Sequence, residues 1–299
     1  MSTQHKFLGI LLAGIIGLLY AGPGDAGVAF FRIPVDARVV GMGEAAVSYI
    51  DNASALYYNH ACLTNIQKLN FLFMHNAWLL GMNHEYLAGA FNLQKIGTFG
   101  IAFNYWGSGS IPGITIRGDT IPGYNFNATD WTINIGYGKE IKDLCLGVGF
   151  KYLNEKNESL STSSFGIDIG SMYKTPLRGL NIGVSCSNLG SSVKLDEESF
   201  PLPIIARFGW KFNIKDFNIA QDFIFSNADK IGVGVGFEYW IAQVMALRLG
   251  YRSGSDYGGI SGLRAGFGIL LKGFGIDYSV APYGKLGISH RFSLTFSKS

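Results

Sequence analysis

The stretch from Trp131 to Gly138 reads Trp-Thr-Ile-Asn-Ile-Gly-Tyr-Gly, and its large apolar residues alternate strictly with small or polar ones. Successive side chains of a β-strand point to opposite faces, so this stretch predicts a strand with one apolar and one small, polar face. The same alternation recurs at residues 232–239, 263–269 and 273–280. The pattern therefore indicates a protein built from half-apolar strands.

Runs of this kind continue from Leu69 almost to the end of the chain, and we count about 14 of them. Each is about ten residues long, which is the length that a tilted strand needs to cross a bilayer. They cover roughly residues 69–78, 83–94, 97–106, 129–139, 143–154, 163–174, 178–188, 202–213, 216–225, 231–240, 243–252, 260–270, 273–280 and 287–296.

The connections between these runs differ in length in a regular way. Every second one is tight: residues 95–96, 140–142, 175–177, 214–215 and 271–272. Most of the others are longer: residues 107–128, 155–162, 189–201, 253–259 and 281–286. Short turns on one side and long loops on the other are typical of outer-membrane barrels, in which the short turns are periplasmic. The sequence therefore predicts an all-β fold, a closed antiparallel transmembrane β-barrel of about 14 strands.

A soluble β-protein is the alternative, because alternation also describes a sheet with one face in water. Three features count against it. Only 15% of the residues are charged, against about 25% in a typical soluble domain. The strand face opposite the apolar one accordingly carries few charged residues. The last run can close the sheet against the first. Aromatic residues also gather near run ends, where a membrane-interface girdle would lie: Trp78, Trp106, Trp210, Tyr239, Trp240, Tyr251 and Tyr283.

The first residues predict a secretory signal peptide. Lys6 precedes the uncharged run Phe7–Tyr20, and small residues follow through Ala26. A basic start, a short apolar stretch and small residues near a cleavage point are typical of such peptides. A membrane anchor is the alternative, although it needs about 20 apolar residues. We therefore predict a signal peptide over residues 1–26, a separate segment over 27–67 and the barrel over 68–299.

Residues 27–67 lack alternation, and here the sequence resembles a known family. Residues 31–38 read Phe-Arg-Ile-Pro-Val-Asp-Ala-Arg, residues 41–45 read Gly-Met-Gly-Glu-Ala, and residues 51–59 read Asp-Asn-Ala-Ser-Ala-Leu-Tyr-Tyr-Asn. These stretches resemble the start of PorV/PorQ family proteins, which belong to the FadL-like group of outer-membrane barrels. Residues 277–294 resemble the closing hairpin of that family. The family usually continues as Asn-Pro-Ala-Gly, whereas this chain has Asn59-His60-Ala61-Cys62.

The resemblance implies that residues 27–67 fold into the barrel as a hatch. A 14-stranded barrel is wider than side chains alone fill, which agrees with this. The matching hatch positions are Arg32, Pro34, Arg38, Gly41, Gly43, Asp51, Ser54 and Asn59. Hatch charges either pair with inward charges of the strands or are solvated in the lumen. The hatch charges are Arg32, Asp36, Arg38, Glu44 and Asp51; the inward ones are Asp168, Glu238, Arg248, Arg264, Asp277 and Arg291.

Enzymatic chemistry is not indicated. Residues 41–46 fit a GxGxxA pattern but lack the βαβ context of a dinucleotide site, so we expect no cofactor. The histidines are scattered, and Cys62, Cys145 and Cys186 show no metal-ligand spacing. Ser289 and His290 are adjacent, so they point to opposite faces of a strand. The net charge of +3 is too small to indicate a nucleic acid.

Two functions remain, both non-enzymatic. PorV/PorQ-type barrels are associated with type IX protein secretion, which implies secretion proteins or exported cargo as partners. The alternative is a FadL-like channel for uptake of hydrophobic small molecules such as long-chain fatty acids. Both predict location in the outer membrane of a Gram-negative-type bacterium, in contact with lipid. The predicted ligand or partner contacts are Phe30, Phe31, Tyr57 and Tyr58 in the hatch, and Ile114, Ile116, Tyr124 and Phe126 in the long loop 107–128.

Overall fold

The computed structural model of the protein describes residues 26–195, 197–254 and 260–298. Within these residues, fourteen strands form one closed barrel in which all neighbours pair antiparallel. The signal peptide predicted for residues 1–26 lies, apart from Ala26, outside the described residues. The barrel strands are β1 (Leu69–Ala77), β2 (Asn83–Asn92), β3 (Thr98–Gly107), β6 (Ala128–Ile141), β7 (Leu144–Asn157), β8 (Leu160–Lys174), β9 (Leu180–Gly190), β12 (Ile205–Ile214), β13 (Phe217–Ser226), β14 (Gly232–Ile241), β15 (Met245–Arg252), β16 (Leu263–Leu271), β17 (Phe274–Pro282) and β18 (Ile288–Lys298).

The last strand closes the sheet against the first, as the sequence predicts. In β1 and β18, Phe71 lies opposite Phe296 and Phe73 lies opposite Leu294. β1 also pairs with β2 along its whole length. Within the described barrel, no edge strand is therefore left with free backbone N–H and C=O groups, which is the condition for a sheet in hydrocarbon.

Two of the predicted long loops contain strands of their own. Residues 108–127 include a hairpin of β4 (Ile111–Ile114) and β5 (Thr120–Phe126), and residues 191–204 include a hairpin of β10 (Val193–Leu195) and β11 (Glu198–Phe200). The predicted long loop over residues 155–162 is wrong, because β7 and β8 continue through it to a two-residue turn. These polar residues lack alternation, yet their backbones pair in register as the strands extend beyond the apolar belt.

The outer face of the barrel is apolar. Phe150, Leu249 and Ile276 expose 49%, 60% and 53% of their surface, and similar side chains surround the barrel. Contiguous apolar surface of this extent is not stable in water, so the exterior is suited to the hydrocarbon of a bilayer. Among the described residues, no helix is long and apolar enough to cross a bilayer.

The predicted aromatic girdle is only partly right. Trp78, Trp106 and Tyr283 line a cavity inside one end of the barrel, and the Nε1 of Trp240 donates to Glu238 within the lumen. Tyr239 and Tyr251 do lie on the outer face, and Trp210 lines an outer apolar hollow. The bond to Glu238 stabilises the Trp240 indole inside the barrel, whereas the Nε1 of Trp106 has no partner within the described residues.

The core of the protein lies inside the barrel, between the N-terminal segment (residues 27–67) and the inner faces of the strands. Its largest cluster of buried apolar residues joins Leu56, Tyr58 and Leu63 of the segment to Leu72 and Met74 of β1. The segment is built from short helical turns rather than strands. These turns are Ala29–Arg32, Ala37–Gly41, Ala55–Tyr58 and His60–Asn65.

Candidate functional site

The N-terminal segment runs through the lumen from one end of the barrel to the other. At the end with the long loops, Gly27 N donates to Pro201 O at 3.1 Å, and Arg32 pairs with Asp229 at 2.7 Å. At the end with the short turns, the Asn92 side chain donates to Ile66 O at 2.9 Å. The segment then enters β1, so its position in the lumen is fixed at both ends.

Inward-facing glycines allow the segment to approach the strands closely. A Cβ added at Gly147 would lie 2.1 Å from Ala61 N, and one at Gly236 would lie 2.3 Å from Met42 O. Similarly short distances to the segment occur at Gly136, Gly149, Gly170, Gly183, Gly234 and Gly250. The small residues that alternate with apolar ones in the sequence thus face the segment. Side chains there would displace backbone atoms of the segment or, at Gly136, Gly149 and Gly170, the side chains of Leu56, Asn59 and His60.

Among the glycines of the segment itself, Gly43 leaves the least space for a side chain. Its φ is +64°, a left-handed conformation that glycine adopts without strain, and a Cβ would lie 2.4 Å from Val235 O. Gly41 lies close to the wall as well, with Arg248 Cβ and Gly266 Cα each 3.3 Å from an added Cβ. Both predicted glycines therefore stand where the segment meets β14–β16.

Polar side chains of the strands bond the backbone of the segment. The Asp222 carboxylate accepts from Ala46 N at 2.8 Å and from Val47 N at 2.9 Å. On the opposite wall, Ser293 Oγ accepts from Ala37 N at 2.8 Å. Short helical turns leave several backbone groups without partners of their own, and these wall side chains satisfy them.

A charged cluster, buried except for the exposed side chain of Asp51, joins the segment to strands β14, β15 and β17. Arg38 donates to both Glu238 oxygens, at 3.0 and 3.1 Å. Arg248 donates to Glu238 at 2.7 Å and to Asp277 at 2.6 Å. Arg38 also pairs with Asp51 of the segment at 2.6 Å. We call these five residues the Arg38 cluster. Hatch charges were expected either to pair with inward charges of the strands or to be solvated in the lumen, and Arg38 pairs.

Glu44 lies among several arginines. Arg252 Nε is 3.4 Å and Arg264 Nη2 is 3.9 Å from its carboxylate. Burial by itself raises the pKa of the Glu44 carboxyl, but the surrounding positive charges lower it below its ordinary value of 4.5. Those charges belong to Arg252, Arg264, Arg207 and Arg291. The lumen around Glu44 is thus rich in positive charge.

The remaining predicted hatch residues hold the segment together internally. Tyr57 donates to Phe31 O at 2.6 Å and to Ile33 O at 2.9 Å. Tyr58 donates to Val35 O at 2.7 Å, and Ser54 donates to the buried carboxylate of Asp36 at 3.1 Å. These bonds fix the course of residues 31–36 against the Ala55–Tyr58 helix.

Asn59 bridges the segment and the wall, donating to Val47 O at 2.6 Å and to Ser171 O at 3.1 Å. His60 and Cys62, which depart from the family pattern, follow it in a 3-10 turn. The φ angle of Cys62 is not in the left-handed region. The cysteine therefore stands at the family's glycine position without backbone strain. His60 Nε2 lies 3.2 Å from the Asn134 amide oxygen.

A cavity of about 340 Å³ lies at the long-loop end, above the segment. Its lining is mixed. The apolar residues are Phe30, Ile33 and Pro34 of the segment with Trp78 and Trp106 of the barrel, and the charged ones are Arg32, Glu44, Asp130, Asp229, Arg252 and Arg264. We call it the mouth cavity. Deeper in the lumen, Phe31 and Tyr57 border a space of only about 20 Å³, room for about one water molecule.

The predicted residues of the long loop lie apart from this cavity. Ile114 exposes 66% of its surface, Ile116 is fully exposed, and Tyr124 donates to Glu158 at 2.7 Å. Phe126 is half-buried at the base of the β4–β5 hairpin. The structure thus brings the predicted hatch residues together, and it places the hairpin residues on a separate projecting surface.

Sequence reasoning missed some residues of this site, notably Asp222 and Arg207. Asp222 shares the inward face of β13 with Ala220 and Asn218, so its position on that face was a usable signal. The alternation pattern does not show that the Asp222 carboxylate accepts hydrogen bonds from the backbone N–H groups of residues 46 and 47. Within the described residues, no group of three or more His, Cys, Asp or Glu could hold a metal ion.

No family model matches the sequence, and no curated protein matches it either. Solved structures do share its fold. The toluene transporter TodX of Pseudomonas putida is 10% identical, with 93% of this chain and 97% of that chain covered and a TM-score of 0.63. The toluene transporter TbuX of Ralstonia pickettii is 13% identical, with 89% and 98% covered and a TM-score of 0.62. A Pseudomonas aeruginosa FadL homologue is 10% identical, with 88% and 98% covered and a TM-score of 0.54. At such low identities, the likeness concerns the fold.

Proposed function

We propose that the protein is an outer-membrane channel for uptake of hydrophobic small molecules, and that residues 27–67 are its hatch. The observation that carries the proposal is the mouth cavity, where apolar residues of both the segment and the barrel lie beside charged ones. A ligand in this cavity would contact Phe30 and Ile33 directly, so its binding could be coupled to movement of the segment. Solved barrels of similar fold include proteins described as toluene transporters, which supports this function.

The proposed location is the outer membrane of a Gram-negative-type bacterium, after cleavage of the signal peptide. The apolar exterior and the closed antiparallel sheet support it, since bacterial barrels of this kind lie in the outer membrane. The activity is passage of a molecule rather than a reaction, so no catalytic residue is assigned.

Passage requires the hatch to move. Below the mouth cavity the lumen beside Phe31 and Tyr57 has a free volume of about 20 Å³, far below that of any hydrophobic ligand. The short distances between the segment and the inward glycines show that the described segment also lies tightly against the strands there. A shift of the segment is therefore the step that would open a path.

A reversible cross-link between hatch and wall tests this. Ala37 N lies 2.8 Å from Ser293 Oγ, so Ala37→Cys with Ser293→Cys places two thiols close together. The natural cysteines Cys62, Cys145 and Cys186 are buried and free, and they are replaced by alanine in this background. Uptake of labelled decanoate and decanol is then measured in cells that lack their own channel.

We expect the oxidised double variant to lose uptake and to regain it on reduction. The single variant Ser293→Cys is the matched control and should take up both probes under either condition. Undiminished uptake by the fully cross-linked protein would show that the hatch need not move. No uptake by the unmodified protein would refute the channel function itself.

The β4–β5 hairpin favours a second candidate, a PorV/PorQ-type component of type IX secretion. Ile114 and Ile116 are exposed near the tip of this hairpin, and an apolar surface there is suited to a protein partner or exported cargo. Pulldown of the tagged protein from its native membrane, with and without residues 112–125, tests this. Recovery of secretion proteins that depends on the hairpin would favour secretion; recovery of lipid without such partners would favour uptake.

A further inference from the structure

An apolar hollow of about 410 Å³ opens on the outer face of the barrel, between strands β9 and β12. We call it the outer hollow, and it is lined by Leu177, Leu180, Ile182, Phe208, Trp210 and Phe212. Its three aromatic residues stand in a row on the outward face of β12, where Trp210 lies directly opposite the smaller Ile182 of β9. Because the β9 side chains are shorter, the surface is stepped here, and the step leaves room for part of an apolar molecule.

The outer hollow lies close to the end of the barrel that carries the short turns. Leu177 belongs to the turn between β8 and β9, and Leu180 is the first residue of β9. Phe212 lies near the end of β12, just before the turn to β13. These two turns are in contact, since Asn213 N donates to Gly179 O at 2.9 Å. The hollow therefore reaches from the apolar outer face to a pair of adjoining turns.

Each of the two turns carries an exposed basic side chain, Arg178 in the first and Lys215 in the second. Within the described residues, neither of them forms a salt bridge, whereas Lys174 at the same end of the barrel pairs with Glu140. Asp216, the acid beside Lys215, accepts a hydrogen bond from the side chain of a residue in the turn between β14 and β15. Two positive charges without a salt-bridge partner thus border the outer hollow.

We propose that this site binds an anionic phospholipid of the periplasmic leaflet, with an acyl chain in the outer hollow and the phosphate on Arg178 and Lys215. The short turns of such barrels are periplasmic, so lipid head groups of that leaflet lie level with the turns and their chains lie against the outer face. Arg and Lys offer only donors and positive charge, which select a phosphate oxygen.

Net charge decides which phospholipid is favoured. A zwitterionic lipid also has a phosphate, but its ammonium group is repelled by the same two side chains, whereas basic pockets at a membrane surface favour lipids of net negative charge. The inference depends on the proposed membrane location and not on the uptake function.

The test compares phosphatidylglycerol with phosphatidylethanolamine of identical chains. Each lipid is titrated into the full protein in a non-ionic detergent at low ionic strength, and the first bound lipid is counted by native mass spectrometry. We expect phosphatidylglycerol to bind about 30-fold more tightly, which is about five-fold for each of the two basic side chains. Arg178→Gln combined with Lys215→Gln should remove this preference and leave the affinity for phosphatidylethanolamine unchanged. Both residues are exposed in turns, so the double variant is expected to fold.

Lys95→Gln combined with Lys272→Gln is the matched control and should keep the preference. These lysines are also exposed, but they lie in the β2–β3 and β16–β17 turns, several strands away around the barrel. Ile182→Trp fills the outer hollow from the lipid side, so it should weaken the binding of both lipids.

Three results would overturn the inference while leaving the uptake function to its own test. Equal binding of the two lipids by the unmodified protein would show that the head group is not recognised. Equal loss of the preference in both double variants would show a general attraction to the basic rim rather than a site. Displacement of phosphatidylglycerol by equimolar glycerol 3-phosphate would identify a site for free phosphate instead of a lipid.

Discussion

Replacement of Gly236 by alanine is a direct test of whether the segment fills the lumen. Gly236 lies on the inward face of β14, and an added Cβ would lie 2.3 Å from Met42 O and 2.7 Å from Met42 C and Cα. All three atoms belong to the backbone, so no side chain can rotate away to relieve the overlap. Either the strand or the segment has to shift.

The size of the effect follows from two opposing contributions. Overpacking of a well-filled interior costs about 1–3 kcal/mol. Because the contact here is with rigid backbone, we take the upper value, about 3 kcal/mol, as the cost at this site. The lower entropy of unfolded alanine returns about 0.5–1 kcal/mol. We therefore expect Gly236→Ala to lower the free energy of unfolding by about 2 kcal/mol, which is about a 30-fold change in the folding equilibrium.

Gly275→Ala is the matched control, because this glycine also lies within a barrel strand but has space around it. The nearest atom to an added Cβ there is Thr295 Cβ at 3.5 Å, an ordinary van der Waals contact. Gly275→Ala should be neutral or stabilising by about 0.5 kcal/mol. Chemical unfolding in lipid bilayers, followed by tryptophan fluorescence and by heat-modifiable migration, measures both. Equal effects of the two substitutions would mean that Met42 does not lie against β14.

Three further outcomes are expected. Phe237 exposes 49% of its surface on the outer face, so Phe237→Arg should destabilise the barrel by about 2–4 kcal/mol if it lies near the bilayer midplane; an unchanged unfolding midpoint would argue against lipid contact. The pKa of Glu44 is lowered by folding, so its stabilisation is complete above its ordinary value of 4.5 and is lost as the pH falls through the lower, folded value. The free energy of unfolding, measured as a function of pH across this range, should lose that acid-sensitive part in Glu44→Gln. The same pH dependence in the variant and the unmodified protein would show that Glu44 does not contribute it. Trypsin added to intact cells should cut after Arg117 and spare Lys142, whereas the opposite pattern would reverse the orientation of the barrel.

The barrel itself could be predicted from the sequence because lipid imposes a strict pattern on it. Every strand needs an apolar outward residue at each second position, and Trp131–Gly138 shows that pattern within eight residues. The number of barrel strands, their approximate bounds and the closure of β1 on β18 all follow from it. Strand pairing in a barrel with short connections is also local in sequence, so neighbours are readily assigned.

Where lipid does not act, the pattern is lost and prediction is less successful. Residues 155–162 extend into water, so nothing selects apolar residues at alternate positions, and the strands there were expected to be a loop. The β4–β5 and β10–β11 hairpins were missed for the same reason. Their pairing is held by backbone hydrogen bonds, which leave no mark on side-chain periodicity.

The lumen was the least predictable part of the site. Alternation shows that Gly236 points inward but says nothing of what it meets. In the structure that position contacts Met42, which is nearly 200 residues away in the chain. Aromatic residues at strand ends were ambiguous for a related reason: Trp78 and Tyr251 look alike in sequence, yet one lies in the mouth cavity and the other on the outer face.

The Arg38 cluster bears on how a hatch could both stay in place and move. Breaking a buried ion pair is usually prohibitive, at about 3–5 kcal/mol, because one charge is left without a partner. Here the cluster divides along the boundary between segment and wall. Arg38 would leave together with Asp51, at 2.6 Å, while Glu238 would keep Arg248, at 2.7 Å. Arg248 would then be shared by Glu238 and Asp277 on the wall, so no charge is left wholly without an opposite one, and separation costs less than the number of ion pairs suggests. The position seen in the structure is stabilised by all of these pairs.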